Sequence, residues 1–400
     1  MNKLYKTAIV GGGASGLMTA VELLSGDNAL LGSEVIIIEK TDRVGKKLAS
    51  TGNGQGNLTN ENISCEFYRG NKYFIDEFIK LAHKTDIKEY LYSLGIPLCT
   101  LKDGKMYPLS RQASAVVDVL RAYLDSKGCV TVTGECVKQI FKQENFVLKT
   151  ENNCFYAQTV VLAFGGSVAK QFGTDGTSYN LAKDFGHKIT KLYPSLVQLK
   201  TQTDLIKGLK GLKEIAKVTA IKNGQPVASS TGDILFTEYG VSGSSVFQVS
   251  AYLNGEDSES LKIEFLPDLS QKDVTVMLKK RLDCNFMSPN DVLCCMLNKR
   301  VGQAILKTVK TITAETVSYA LKNFTLKVTG NLGFNYAQVT KGGVSTEFIN
   351  PKTFESKLQK GLYVIGEALD VDGDCGGYNV TFAFVSGILS ARGIKATCTK

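Results

Sequence analysis

The sequence predicts an α/β fold with a parallel sheet, into which a second domain, rich in β-strands and partly helical, is inserted. Three observations lead to this prediction. A short apolar run near the amino terminus enters a glycine-rich turn and is followed by a helical pattern. Two later apolar runs, Val160–Ala163 and Gly361–Ile365, also end in small residues. Between them, from about Leu192, the pattern changes to short strand-like runs with a hairpin-turn signal at Asn223-Gly224.

The composition is that of a soluble globular protein. Of the 400 residues, 43% are hydrophobic and 21% are charged, which excludes a disordered chain and a small disulfide scaffold. No apolar stretch approaches the ~18–20 residues that span a bilayer, so we expect no membrane association. The formal charge of +9 is spread without a long basic cluster. We therefore expect no nucleic-acid partner.

Cysteine and histidine usage argues against metal chemistry. The ten cysteines form no C-x-x-C pair and there are two histidines, so we predict no metal site. Residues 1–25 show no secretory signal pattern, and we expect reduced thiols in a cytoplasmic protein.

The strongest motif is the glycine-rich turn that follows the first predicted strand, Lys6–Val10. Residues 11–16 read GGGASG, which matches G-x-G-x-x-G at the start of a helix. In this motif Gly11 permits the tight turn, Gly13 lets a pyrophosphate approach the backbone, and Gly16 lets helix and strand pack closely. The helix start supplies N–H groups and a positive dipole end to the phosphates. The turn predicts a Rossmann-like dinucleotide site.

An acidic residue completes this site. The second predicted strand, Val35–Ile38, ends in Glu39, 23 positions beyond Gly16. A carboxylate here accepts hydrogen bonds from the ribose hydroxyls, which favours FAD or NAD over NADP.

The carboxyl-terminal region favours FAD. Gly376, Gly377, Tyr378 and Asn379 precede an apolar segment, Val380–Leu389, that is typical of a buried helix. In two-domain flavoproteins, such a carboxyl-terminal helix directs its positive end at the pyrimidine edge of the flavin. A helix that starts near Asn379 would stabilise in the same way the negative charge that develops on reduction. An NAD dehydrogenase does not need this element. We therefore predict FAD as the cofactor.

Six motifs carry a family resemblance: IVGGGASGLMTA (9–20), EKTDRVGKKLASTGNGQGNLTN (39–60), MYPLSRQASAVVDVL (106–120), GDILFTEYGVSG (232–243), TKGGVS (340–345) and GLYVIGEALDVDGDCGGYNVTFAFVSG (361–387). On these motifs the chain resembles the YhiN/BaiN-like bacterial flavoproteins, NAD(P)/FAD-dependent oxidoreductases that include aminoacetone oxidase-like enzymes. The resemblance implies a split FAD-binding domain, residues 1–190 and 332–400, interrupted by a substrate domain at 191–331.

The chain departs from the family pattern at a few positions. Gln55 and Gly56 stand where the family often has Arg and Cys, Glu238 stands where it often has His, and Ser244-Ser245 replace Pro-Ala. The changes at Glu238 and at Ser244-Ser245 lie in the insert, so the resemblance does not identify the substrate.

The candidate cofactor-binding residues come from the glycine-rich turn, the segments after the strands, the Gly- and Asn-rich loop at 51–57, and the start of the last helix. They are Gly11, Gly13, Ala14, Ser15, Gly16, Glu39, Lys40, Lys47, Thr51, Gly54, Gln55, Gly56, Asn57, Val137, Ala163, Gly165, Gly366, Glu367, Asp370, Gly376, Gly377, Tyr378 and Asn379.

No catalytic acid or base is identified. Asp370–Asp374 resembles a calcium loop but lacks the required Gly and Glu. Cys375 and His187 are interpreted as packing residues.

Three helices are predicted within the insert. Asp273–Leu282, Asp291–Asn298 and Ala314–Asn323 have helical patterns, with Ser288-Pro289-Asn290 as a breaker.

These features predict an oxidoreductase in which flavin N5 exchanges a hydride with a small organic substrate. One reaction, which the resemblance implies, is reduction of a C=C bond driven by NAD(P)H. The other is oxidation of a small amine or aminoketone with O2. The chain has a single G-x-G-x-x-G, which favours either an oxidase or a reductase that NAD(P)H visits as a transient co-substrate. A flavin-binding redox sensor or an RNA-associated accessory protein is the alternative outside enzymology. The substrate and the oligomeric state stay open.

Overall fold

The computed structural model describes residues 3–253, 258–284 and 286–398, and the chain divides into two compact units. The first unit contains the chain up to residue 193 and from 339 onward, and the second contains residues 194–338. The family resemblance implied that residues 332–338 belong to the FAD-binding domain and residues 191–193 to the insert, whereas residues 332–338 belong to the second unit and residues 191–193 to the first. Backbone hydrogen bonds from Leu332 N to Gln198 O (3.2 Å) and from Gln338 N to Leu196 O (3.2 Å) hold residues 332–338 in the second unit.

The strands, numbered along the described chain, are β1 Leu4–Val10, β2 Val35–Glu39, β3 Thr59–Asn60, β4 Tyr68–Gly70, β5 Leu98–Thr100, β6 Lys105–Pro108, β7 Val130–Thr133, β8 Gln139–Lys142, β9 Phe146–Lys149, β10 Cys154–Leu162, β11 Tyr193–Ser195, β12 Leu199–Thr201, β13 Lys213–Lys222, β14 Gln225–Phe236, β15 Gly240–Ser242, β16 Glu259–Phe265, β17 Phe324–Asn331, β18 Val339–Lys341, β19 Leu362–Val364 and β20 Val371–Gly373.

The α-helices are α1 Ala14–Leu23, α2 Lys46–Ala49, α3 Lys72–Thr85, α4 Ile87–Ser93, α5 Ala113–Ser126, α6 Tyr179–Lys183, α7 Ser244–Ser250, α8 Gln271–Leu282, α9 Lys299–Leu306, α10 Ala314–Lys322 and α11 Tyr378–Cys398.

A mostly parallel sheet forms the centre of the first unit. Its strand order is β7-β2-β1-β10-β9-β8, and β19 also pairs with β10. The pairs β1–β2, β1–β10, β2–β7 and β10–β19 are parallel, whereas β8 and β9 are antiparallel additions. Ile9, Ile37 and Val161 are fully buried in this sheet. Strands covered on both faces are apolar throughout, which is why they read as continuous apolar runs rather than as alternating ones.

Helix α11 packs closely on α1. A Cβ atom on Gly387 would lie 2.6 Å from the carbonyl oxygen of Ser15, so the absence of a side chain allows the two helices to approach. At the other end of α1, Lys395 Nζ donates to Glu22 Oε1 (3.1 Å) and to the Glu22 carbonyl (2.8 Å), while Tyr90 OH donates to Glu22 Oε2 (2.8 Å). This buried, neutralised cluster fastens the end of α11 to the amino-terminal helix.

A closed barrel with the strand order β12-β15-β14-β13-β16-β17 forms the second unit, together with α7–α10. β13 and β14 are joined by the two-residue turn Asn223-Gly224, whose residues have φ of 52° and 75°. Two consecutive positive φ angles match a hairpin turn that suits the twist of the strands. The parallel sheet, the β-rich insert and its helices confirm the predicted fold class.

The helix predicted at Asp291–Asn298 is wrong. This segment begins with a 3-10 turn at Pro289–Asp291, and the next α-helix starts only at Lys299 because the Asn298 side chain caps it by accepting from Arg300 N (3.1 Å). The carbonyls of Val292 and Cys294 instead accept hydrogen bonds from the Arg281 guanidinium, at 2.7 and 2.6 Å. A side chain from α8 therefore satisfies backbone groups that a helix would have paired internally.

Candidate functional site

The glycine-rich turn leaves one of its glycines open. A Cβ atom on Gly11 would lie 2.5 Å from the Ala163 carbonyl oxygen, and one on Gly16 would overlap the Gly11 carbonyl. Around Gly13, by contrast, no described atom lies within 4 Å of the Cβ position. The first intrahelical bond of α1 runs from Leu17 N to Gly13 O (2.9 Å), so the preceding N–H groups of the turn have no partner within the helix. The open space beside Gly13 therefore adjoins the unpaired N–H groups at the start of α1.

Glu39 is held beside this turn. Its Oε2 accepts from Gly12 N and its Oε1 from Thr41 N, both at 2.8 Å. Each carboxylate oxygen keeps a further acceptor position for a hydroxyl. The Glu39 carbonyl accepts from Glu135 N (3.0 Å), which brings the segment leading to buried Val137 to the same strand end.

The loop at 51–57 is held in an unusual backbone conformation. Gly54 and Gly56 have φ of 82° and 80°, and Gly56 N donates to Thr51 O (2.9 Å). The Gly54 carbonyl accepts from Ala113 N (2.8 Å) at the start of α5. Asn57 Oδ1 is buried and has no hydrogen-bond partner among the described residues. A buried acceptor without a donor is costly, which marks this atom as a point where a ligand donor is missing.

The start of α11 packs against this loop. A Cβ atom on Gly377, whose φ is 98°, would lie 2.5 Å from Thr59 O and 2.9 Å from Asn57 Oδ1. Asn60 Nδ2 donates to Gly376 O at 3.0 Å. The structure therefore brings together the loop and the helix start that both supply predicted cofactor-binding residues.

Two residues at this helix start are engaged within the chain. Asn379 Oδ1 accepts from Gly373 N (2.7 Å) and its Nδ2 donates to Gly373 O (2.8 Å), so its amide closes the turn before the helix. The Tyr378 ring stacks on Phe67 with centroids 4.6 Å apart. Of these two residues, the backbone is the part that is available to a ligand.

The strand ends meet the amino-terminal turn. A Cβ atom on Gly366 would lie 2.6 Å from Ser15 Oγ, and one on Gly165 would lie 2.8 Å from Thr174 Cγ2. Ala163 N donates to Val10 O (2.9 Å), which fixes the end of β10 beside Gly11.

Both candidate lysines are paired with carboxylates. Lys40 Nζ lies 2.6 Å from Asp175 Oδ2, and Lys47 Nζ lies 2.5 Å from Glu367 Oε2. Glu367 Oε1 accepts in addition from Thr340 N (2.9 Å). Salt bridges therefore fix the loop and the segment after β19, and the lysine charges are already compensated.

Tyr179 is a candidate site residue that the sequence did not single out. Its side chain is 3% exposed, and its hydroxyl has no hydrogen-bond partner in the part of the chain that the structure describes. Burial raises its pKa, and the charges of Glu367 and Asp370 raise it further, which places the hydroxyl near both acids. Burial also raises the pKa of Asp370. The available signal was the Gly173-Thr174-Asp175-Gly176 segment, which ends just before α6.

The other ionisable side chains of this region are paired with protein groups or buried. Arg69 Nε lies 2.9 Å from Asp372 Oδ2, and Arg69 also pairs with Asp374, so both acids are held by the same guanidinium. Within the described residues no cluster of metal-ligating side chains occurs. Burial raises the pKa of the Cys375 thiol, which disfavours a redox-active thiolate. His187 Nε2 lies 2.8 Å from Ser356 Oγ, and burial lowers its pKa.

In the second unit, Glu238, the residue that replaces the family's His, pairs at the surface with Lys210 (2.6 Å). A cavity of about 640 Å³ in this unit, lined by Leu205, Tyr319 and Phe324 among others, contains none of the candidate site residues.

FAD fits the arrangement in the first unit. Gly13 borders an opening at a helix N-terminus, which suits a pyrophosphate. Asn57 Oδ1 requires a donor, which the N3–H of a flavin pyrimidine ring offers. The Tyr179 hydroxyl requires an acceptor, which phosphate and ribityl oxygens offer. Asn57 is itself a predicted cofactor-binding residue, and the Tyr179 hydroxyl is close to two others, Glu367 and Asp370.

Comparisons with known proteins identify the family of this chain. Residues 5–393 match the model of the family described as HI0933-like protein Rossmann domain. The chain is 33% identical to a 3-dehydro-bile acid delta(4,6)-reductase of Clostridium scindens, covering 97% of this chain and 98% of the relative. It is 26% identical to a ribosomal RNA dihydrouridine synthase of Haemophilus influenzae, covering 99% and 100%.

Among solved structures, a 3-ketosteroid delta1-dehydrogenase from Sterolibacterium denitrificans superposes with a TM-score of 0.52 at 12% identity, covering 98% of this chain and 100% of that one. This likeness concerns the fold. No helix in the described ranges has the length and apolarity to cross a membrane.

Proposed function

The chain belongs to the HI0933-like protein Rossmann-domain family and is an FAD-dependent oxidoreductase, and from this premise we propose that it reduces a carbon–carbon double bond conjugated to a carbonyl group. The observation that carries the proposal is the end-to-end similarity, at 33% identity, to a relative named as a delta(4,6)-reductase. The name of the second relative describes the same kind of change, because dihydrouridine is uridine with its C5=C6 bond saturated.

We assign the FAD-binding roles as follows. The N–H groups of Ala14, Ser15 and Gly16, reached over Gly13, bind the pyrophosphate. Glu39, held by Gly12 N and Thr41 N, accepts from the adenosine ribose, and the backbone at Val137 borders the adenine.

Loop 51–57 and Gly376-Gly377 would hold the flavin ring, and the unpartnered Asn57 Oδ1 would accept a hydrogen bond from it. Asp370 and the Tyr179 hydroxyl hold the ribityl and phosphate region. When bound, FAD supplies a hydride equivalent at N5. The positive end of α11 stabilises the negative charge of the reduced ring.

The electron donor in this proposal is NAD(P)H, which enters transiently. The sequence contains one G-x-G-x-x-G motif, and the proposal assigns that motif to FAD. A resident second dinucleotide therefore has no dedicated binding turn.

A second candidate substrate is a uracil base in RNA. The observation that favours it is the full-length similarity to a ribosomal RNA dihydrouridine synthase. Reduction of a uracil ring uses the same hydride and proton chemistry, but it requires an RNA-binding surface. The sequence-based expectation of no nucleic-acid partner would then be wrong.

The test separates the two half-reactions. The purified yellow protein is mixed anaerobically with NADH and then NADPH while the oxidised-flavin band near ~450 nm is followed. The reduced protein is next mixed with a Δ4-3-ketosteroid, with a uridine-rich RNA or with O2. Bleaching by a nicotinamide followed by anaerobic reoxidation by the enone supports the proposal, and reoxidation by RNA alone supports the second candidate. Bleaching by aminoacetone and not by either nicotinamide contradicts both and favours the amine oxidase.

A further inference from the structure

A strand beside the proposed flavin site presents two polar side chains on one face. In β6, Met106 and Pro108 are buried, and Lys105 and Tyr107 alternate with them, so they share the opposite face. β6 pairs with β3 through Thr59 opposite Met106, and β3 follows directly on the loop at 51–57. The two polar side chains are therefore carried by a strand that is hydrogen-bonded to the cofactor loop.

The Tyr107 ring is covered by a cation. The Arg111 guanidinium carbon lies 4.8 Å from the ring centroid, within the range of a cation–π contact. Arg111 Nη1 donates to Gln55 Oε1 at 3.4 Å, and Gln55 is the loop position where the family often has Arg. The Arg111 backbone is left-handed, with φ of 54°, and its N–H donates to Pro108 O (2.8 Å). A strained backbone thus aims the guanidinium at both the ring and the loop.

The Tyr107 phenol lies within electrostatic range of the segment that leads into α11. Its hydroxyl interacts with Lys105 and with Cys375, the residue immediately before Gly376-Gly377. In the described chain this hydroxyl has no hydrogen-bond partner, and the side chain is half-buried. The phenol is therefore both close to the proposed position of the flavin ring and free to contact a substrate.

The electrostatics suit a group that must give up a proton. Burial raises the pKa of Tyr107, so the phenol is protonated at neutral pH; the positive charges of Lys105 and Arg111 lower this pKa, whereas the negative charge of Asp103 raises it. These cations stabilise the tyrosinate that remains after proton transfer. Neighbouring groups are less suited. Lys105 Nζ is bound to Asp103 Oδ2 (2.7 Å), and the ring of Tyr378 is stacked on Phe67.

We propose that Tyr107 is the general acid of the C=C reduction and that Arg111 is its positioning residue, an inference that rests on the proposed function. The hydride equivalent supplied by reduced FAD forms a C–H bond at the β-carbon of the enone, and the π bond breaks. Its electron pair takes the Tyr107 hydroxyl proton at the α-carbon. The flavin is oxidised, the substrate is reduced by two electrons, and the tyrosinate regains a proton from water.

The test compares Tyr107→Phe with Tyr92→Phe, which changes an exposed tyrosine on α4 in the same way. Loss of the acid is expected to leave the rate of flavin bleaching by NAD(P)H within about twofold and to slow anaerobic reoxidation by the Δ4-3-ketosteroid by about 10²–10⁴-fold. Arg111→Gln is expected to slow reoxidation by about tenfold. Tyr92→Phe is expected to match the wild type in both steps.

A second readout needs no bound FAD. Apoprotein labelled with ¹³C at tyrosine Cζ is titrated by NMR, with the Tyr107 signal assigned from its absence in Tyr107→Phe. Arg111→Gln is expected to raise the pKa of Tyr107, because it removes a stabilising charge from the phenolate. An unchanged pKa would overturn the role given to Arg111.

The two proposals fail in different ways. Should the reduced wild-type protein be reoxidised by neither enone nor RNA, the proposed function falls and the role of Tyr107 falls with it. Should the wild type be reoxidised and Tyr107→Phe keep the same rate, the function stands and Tyr107 is not the acid.

Discussion

The turns that precede α1 and α11 both contain adjacent glycines, but these glycines pack differently. In the first turn, Gly11 and Gly16 are packed against backbone, while the Cβ position of Gly13 is open. In the second turn, the Cβ position of Gly376 lies 3.0 Å from the Tyr378 ring and that of Gly377 lies 2.5 Å from Thr59 O. The first turn therefore keeps an opening for a ligand, whereas the glycines of the second admit the chain's own loop.

This difference shows that adjacent glycines before a helix can meet two distinct structural requirements: space for a ligand, or close contact with another segment of the chain. The sequence suggested that Gly376 and Gly377 open the helix for backbone approach by the cofactor. In the structure, their lack of side chains is required by the loop that ends at Thr59 and by Asn57. Any flavin beside this helix start meets a surface that the protein has already assembled from two distant segments.

The largest expected effect separates the glycines of the first turn. Gly16→Ala places a methyl group on the Gly11 carbonyl, and since backbone cannot yield, we expect a loss of more than about 4 kcal/mol and no folded protein. Gly13→Ala meets no protein atom and is expected to fold with an unchanged Tm but to bind FAD about tenfold more weakly. Thermal melts of the apoproteins and FAD titrations measure both. Equal stability of the two variants would contradict the packing difference.

The second turn is broken by Gly377→Ala. The substitution imposes a side chain at a φ of 98° and a contact with Thr59 O, so we expect the free energy of unfolding of the apoprotein to fall by about 2–4 kcal/mol. Denaturant unfolding without FAD measures it. A variant that retained full apoprotein stability and lost only FAD would mean that Gly377 is open to ligand after all.

Smaller effects are expected from substitution of two buried tyrosines, Tyr179 and Tyr68. Tyr179→Phe removes a hydroxyl with no protein partner, so FAD affinity is expected to fall about five- to tenfold while apoprotein stability is unchanged or slightly higher. Tyr68→Phe removes a hydroxyl that donates to Tyr378 O at 3.0 Å in the second turn, and it is expected to cost about 1 kcal/mol of stability. FAD titration and apoprotein melts distinguish them. A stability loss in Tyr179→Phe would show that its hydroxyl has a partner within the protein.

A last expected effect, similar in size to that of Tyr68→Phe, lies away from both turns, at His187. Burial lowers the pKa of the folded imidazole below its value in the unfolded chain, so the unfolded state binds a proton first as the pH falls. Stability is therefore expected to decline by about 1 kcal/mol as the pH drops from 7 to 5, since the unfolded value is ~6.5. His187→Gln is expected to flatten that part of the stability profile. A parallel profile in the variant would assign the acid sensitivity to other groups.

Local patterns allowed correct prediction of the first turn, the parallel strands and the Asn223-Gly224 hairpin, because each is determined by neighbouring residues. The helix predicted at 291–298 was wrong because the Arg281 guanidinium, from another element, pairs its carbonyls. The spacing of residues in the sequence also gave no sign that the Asn379 side-chain amide is hydrogen-bonded to the Gly373 backbone or that the Tyr179 hydroxyl has no partner among the described residues. Such facts depend on tertiary contacts, which a single sequence does not display.

The division of the first unit along the chain has a consequence for its biosynthesis. The partner that β10 gains in β19, and the helix α11 that packs on α1, are translated only after the whole barrel unit. A ribosome that has completed the first 338 residues has made Gly13 and Glu39 but not Asp370 or the start of α11. With the FAD-binding roles proposed above, the cofactor site is complete only late in synthesis, and a product that ends before β19 would leave the edge of β10 at Val160–Leu162 unpaired.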